Sequence, residues 1–134
     1  MEKIMLQDAY PVHTLYLDKA NTKAETIDEV VAHLRERIEA DSRAAHIADF
    51  DHYSHTMSHP EPEVAENIRD ARNVIFCFGL RLPAPEVTAI RPRSIGVVET
   101  DTQFVMSFLE APMPFANDAM STWIEELAKQ PQHA

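Results

Sequence analysis

Four histidines, His46, His52, His55 and His59, crowd into a short stretch with Asp49 and Asp51 among them. Imidazole and carboxylate together suit a first-row transition metal (Zn, Ni, Cu or Fe) rather than Mg or Ca. The backbone decides whether they can meet. On a continuous strand His55 and His59 point to one side but stand about 13 Å apart, too far to share an ion. On a helix His52, His55 and His59 share a face. In an irregular segment, bracketed by a strand and by Pro60 and Pro62, they can converge, and that is the conformation expected for 52–62. The candidate metal set is His52, His55 and His59, with Asp51 or Asp49 as a fourth ligand or orienting an imidazole. Against it stands the plain reading of solvated loop histidines.

Asp51 and His52 also form a candidate pair acting on a small ligand. No serine, third residue or oxyanion donor accompanies them, so no reaction is assigned. Cys77 is a second chemical candidate, but it lies between Phe76 and Phe78 in the most apolar stretch of the chain. A reactive thiol needs access and a basic neighbour, and a small buried hydrophobe is the simpler role. Gly79 and Gly96 are the only glycines, which excludes phosphate-cradling and dinucleotide-binding loops.

A net charge of −10 repels phosphate backbones and anionic lipid, so neither nucleic acid nor membrane is expected as a partner. No segment approaches the ~20 apolar residues of a membrane span. The first residues lack the apolar run of a secretory signal, and a single cysteine precludes an intrachain disulfide. A cytoplasmic location is expected.

These groups must be positioned by the elements around them. The segment 73–79 (NVIFCFG) is apolar on both faces and reads as an interior strand. Tyr10 to Lys19 alternates weakly and reads as a strand. Thr26 and Glu29 form a capping box before Ile27, Val30, Val31, Leu34 and Ile38, predicting a helix over about 26–41. A strand is expected over 44–51, and a short helix after Pro62 with Val64, Ala65, Ile68 and Ala71 on its buried side. After a proline-rich link with one helical turn at 86–90, 94–100 and 103–111 read as a hairpin. The last helix, about 115–129, buries Ala116, Ala119, Met120, Trp123, Ile124 and Leu127 and carries an outward Glu125–Lys129 pair. The tail beyond Lys129 is expected to fray.

The chain from about Thr26 onward resembles the bacterial and archaeal domain-of-unknown-function 302 family. The resemblance rests on the capped helix TIDEVVAHLRERI and the strand ending in Asp51-His52. It continues in Val74-Ile75-Phe76 with Gly79 close behind, Ile95-Gly-Val-Val98, and a final hairpin ending in Ala111-Pro112. Where that family has a Phe-Gly-Asn-Pro type ending, this chain has Phe78-Gly79-Leu80-Arg81. The resemblance implies a TATA-binding-protein-like order of strand, helix, four strands, helix. It implies no DNA binding and no activity.

The expected fold is therefore a single α+β domain over 1–134. It is a two-layer sandwich in which a mostly antiparallel sheet of about five strands carries two long helices on one face, with short helices besides. Two helices cover one sheet face only. Tyr16, Phe104, Met106 and Phe108 read either as plain core or as an apolar and aromatic surface on the other face, suited to a homodimer interface, a small ligand or a protein partner.

Overall fold

The computed structural model describes residues 1–79 and 81–131. Its strands are β1 (Glu2–Leu6), β2 (Tyr10–Asp18), β3 (Ala44–Phe50), β4 (Asp70–Phe78), β5 (Arg93–Glu99) and β6 (Gln103–Leu109). The helices are α1 (Ile27–Ala40), α2 (His52–Met57) and α3 (Pro114–Glu125), with 3-10 turns at Lys19–Asn21 and Pro85–Ala89. All neighbouring strands are antiparallel, in the order β1-β2-β6-β5-β4-β3. The α+β class, the antiparallel sheet and the two long helices on one face agree with the expectation.

α1 begins where its capping residues dictate. Thr26 Oγ1 accepts from the Glu29 amide at 3.2 Å, and Glu29 reaches back to the Glu25 amide at 2.7 Å. Ile27, Val30, Val31, Leu34 and Ile38 are buried, as their spacing requires. α3 lies beside α1, where His33 Nε2 donates to the Trp123 carbonyl at 2.7 Å. Trp123 in turn stacks on Phe78, with ring centroids 5.6 Å apart. Beneath the helices lie Leu15 and Leu17 of β2, Val74, Phe76 and Phe78 of β4, Ile95 and Val97 of β5, and Phe104, Met106 and Phe108 of β6.

Several expectations are corrected. The sheet has six strands, because β1 pairs with β2 through a turn in which Gln7 and Asp8 both have positive φ. Such hairpin turns usually announce themselves with Asn-Gly or Asp-Gly, and Gln-Asp carries no such signal. The strand at 73–79 is interior but starts at Asp70 and stands one place in from the β3 edge. The stretch after Pro62 contains no helix and runs extended to a turn at Ala65–Ile68 before entering β4. Residues 52–57, expected to be irregular, form α2. The final helix stops at Glu125, so Glu125 and Lys129 are not a helical pair. The chain bends back instead, Lys129 donating its amide to the Asn21 carbonyl. Of the tail expected to fray, residues 132–134 lie outside the described residues.

Tyr16 does not share a face with Phe104, Met106 and Phe108. Tyr16 pairs with Val105, whereas Leu17 pairs with Phe104 and Leu15 with Met106. Phe104, Met106 and Phe108 are therefore core under the helices, and Tyr16 points the other way, 42% exposed. The alternation within each strand was legible, but only the register between strands says which halves belong together.

Candidate functional site

Alternate residues of every strand point away from α1 and α3, and register lines them up in rows. One row crosses the whole sheet: Glu2, Thr14, Ser107, Gly96, Asn73 and Phe50. Its centre is short and polar, and Thr14 and Ser107 hydroxyls meet at 2.8 Å. A parallel row, Tyr16, Val105, Val98 and Ala71, flanks it on one side. Val12 and Leu109 pair on the other side, as do Ile75 and Ser94. The result is a shallow trough floored by small side chains and bordered by apolar ones. Gly96 contributes to its depth, since a Cβ there would meet nothing nearer than the Ser107 carbonyl oxygen at 3.7 Å.

At the β4 end the trough meets α2. Asp51 caps this helix, its two carboxylate oxygens accepting from the Ser54 amide at 3.0 Å and the Ser54 hydroxyl at 2.9 Å. The Ser54 amide, then its hydroxyl, hold the Asp51 carboxyl below the usual carboxylate range. Arg72 approaches the same carboxylate at 3.8 Å. Asp51 thus serves the helix start, and its position next to His52 does not make an acid/base pair.

His52 is held by a different partner. Its Nδ1 lies 2.8 Å from Asn73 Oδ1, while Asn73 Nδ2 donates to Ser94 Oγ at 2.9 Å. With the amide nitrogen committed to Ser94, the amide oxygen accepts from His52 Nδ1–H. Neutral His52 then presents Nε2 as an acceptor. Beside it is a cavity of about 260 Å³, walled by His52, Tyr53, Val64 and Ile68 together with the polar Thr56 and Glu63, and floored by Ala71 and Val98. An imidazole acceptor at the rim of a pocket with mixed polar and apolar walls can bind an amphipathic molecule by one hydrogen bond and apolar contact.

The remaining histidines divide. His46 faces the helix side of β3, paired with Phe76, and meets Asp49 at 2.8 Å. Arg35 of α1 approaches that same Asp49 at 3.9 Å. The sheet separates this pair from His52, His55 and His59. Phe50 lies between two of those, its ring 5.2 Å from His52 and 5.4 Å from His55, and His55 meets His59 edge-on at 5.3 Å. Among the described residues no group of three or more His, Cys, Asp or Glu side chains is arranged to hold a metal ion. Cys77 is half-buried on the trough side, with Sγ donating to the Phe78 carbonyl at 3.3 Å.

Asn73 is the residue the sequence reading overlooked, taken only as the first member of an apolar strand. Its signal is its isolation, one amide at the start of an otherwise apolar run, since a half-buried amide must find partners.

The architecture defines a two-layer α+β domain with one sheet face sealed by helices and the other left as a trough. The chain belongs to a family of unknown function, DUF6858, whose model matches residues 1–129. That match does not extend to the domain-of-unknown-function 302 family. No curated protein and no solved structure matches the chain. No helix among the described residues is long and apolar enough to cross a membrane.

Proposed function

We propose that this chain is a non-catalytic, homodimeric binding module. Two copies associate through the uncovered sheet faces, and each holds a small amphipathic molecule beside His52. One observation carries this reading. In a chain with 22 acidic residues, the strand positions facing the trough include only two charged residues, Glu2 and Asp18. The same face exposes Leu6, Tyr10, Tyr16, Ile47 and Leu109, each at least two-fifths accessible. A large uncharged surface on so acidic a protein is suited to a second copy, whose own charges then lie at a distance. The six strands span about 24 Å and the trough-facing rows about 17 Å, a flat footprint of about 400 Å² per copy that the flanking loops must enlarge to reach the size of a stable interface.

Sedimentation equilibrium at tens of micromolar tests the association. The wild-type chain is expected as a dimer, and Tyr16→Glu combined with Leu109→Glu as a folded monomer. A wild-type chain that sediments as a monomer rejects the reading.

A further inference from the structure

The far end of β4 carries a second feature, about 26 Å from the His52 cavity by strand rise. Arg35, Arg37, Arg43, Arg69 and Arg72 each face a carboxylate. Among the described residues Arg81, Arg91 and Arg93 face none, and all three lie at this end of the sheet. Arg93 is buried and donates to the Ile90 and Leu109 carbonyls, which accounts for its charge structurally. Arg91 has only one carbonyl and a thioether beside it, and Arg81 has no such partner among the described residues. They line two adjoining cavities, of about 390 and 410 Å³, which share Gly79. No Asp or Glu lines either one, in a chain with 22 of them.

The guanidinium of Arg91 is built in rather than loose. It lies against Gly79, where a Cβ would come within 3.1–3.4 Å of its atoms, and Gly79 itself has φ +100°. Arg91 Nη1 donates to the Arg81 carbonyl, and Nη2 lies 4.0 Å from Met113 Sδ. Its Nε is buried and has no hydrogen-bond partner among the described residues. Two further groups define the first cavity. Arg43, held by Asp41, lies over the Phe115 ring at 5.1 Å. Phe115 is in the first turn of α3, where Pro114 carries no amide hydrogen and the Ala116 and Asn117 amides already donate to the Met113 carbonyl.

We infer that this end of the sheet is a binding site for a small organic oxyanion. A phosphate or carboxylate head sits between Arg81 and Arg91, and an aromatic or apolar body lies against Phe115 and Met113. The fork of a guanidinium matches both head groups, and the flat ring and thioether provide the apolar wall. The site is separate from the His52 cavity, and the larger of its two pockets reaches the trough face at Ile47 and Cys77.

Calorimetric titration of the full chain tests the inference with phenyl phosphate, benzoate, inorganic phosphate and neutral benzyl alcohol as probes. One saturable site is expected for phenyl phosphate or benzoate, and the tighter of the two identifies the head group. Arg81→Gln, at an exposed position, is expected to weaken that binding about tenfold or more. Arg69→Gln, whose partner is Asp101 elsewhere, is expected to leave it unchanged. Inorganic phosphate is expected to bind more weakly and benzyl alcohol not at all. The inference is overturned if neither organic anion saturates at millimolar concentration or if Arg81→Gln binds like wild type. It is overturned equally if benzyl alcohol matches the anions, or if inorganic phosphate binds as tightly as they do.

Discussion

His52 and Asn73, on different elements and twenty-one positions apart, are joined by a 2.8 Å hydrogen bond between His52 Nδ1 and Asn73 Oδ1, in which Nδ1–H donates. Replacing Asn73 with alanine removes the acceptor and releases the ring. Nitrogen-15 chemical shifts of His52 are expected to report one dominant Nδ1–H form in the wild type and a mixture in Asn73→Ala. A wild-type ring already present as a mixture contradicts the assignment.

The stripe on α1 is the main contribution of that helix to the core. Leu34 is fully buried. Leu34→Ala is expected to cost about 2–5 kcal/mol, the range for a large-to-small change with a residual cavity. Urea unfolding followed by circular dichroism measures it, and a loss below 1 kcal/mol would place Leu34 outside the core.

The two glycines are expected to respond in opposite directions. Gly79 has a left-handed backbone and packs against Arg91. Gly79→Ala is therefore expected to destabilise by about 1–3 kcal/mol. Gly96 lies in β5, where a Cβ would make only ordinary van der Waals contact, with the Ser107 carbonyl oxygen at 3.7 Å and Asn73 Nδ2 at 3.9 Å. Gly96→Ala is expected to be neutral or to stabilise the monomer by up to about 1 kcal/mol, through the unfolded chain. Paired thermal melts distinguish the two.

Acid is expected to destabilise the fold through specific carboxylates. Asp51 is held below its ordinary range by Ser54, Asp101 by Arg69, Asp41 by Arg43, and Glu110 by Lys3 and then His13. A carboxyl lowered in the folded state binds fewer protons than in the unfolded one. Its stabilisation is complete above the unfolded pKa, about 4, and is lost as pH falls through the lower folded value. Stability should be flat in these groups above about pH 5 and decline below pH 4. Asp51→Asn and Glu110→Gln should each make the decline shallower, which denaturation at a series of pH values reads directly.

The histidines at 52–59 are expected to add no metal affinity of their own. Zn²⁺ and Ni²⁺ titrations of the wild type and of a variant with His52, His55 and His59 all changed to alanine should give equal uptake. Tighter, stoichiometric uptake by the wild type alone would restore a metal site there.

Local signals made much of this fold readable. The Thr26–Glu29 cap and the apolar repeat of α1 act within a few residues, so the helix appears where they place it. The apolar run of β4 likewise marked a strand flanked on both sides. Asp51 is the instructive failure. Its capping of α2 is also local, yet its neighbour His52 drew attention to acid/base chemistry instead. Other features depend on residues distant in sequence. Strand alternation divides each strand into two faces, but only the β2–β6 register separates Tyr16 from Phe104, Met106 and Phe108, because a one-residue shift would exchange the faces. β1 exists because β2 offers it an edge, not because its five residues favour a strand. The convergence of Arg81, Arg91, Gly79 and Phe115 comes from three separate parts of the chain meeting where β4 ends and α3 begins. Chain closure of that kind is decided by packing the whole sheet against its helices, and no short window of sequence contains it.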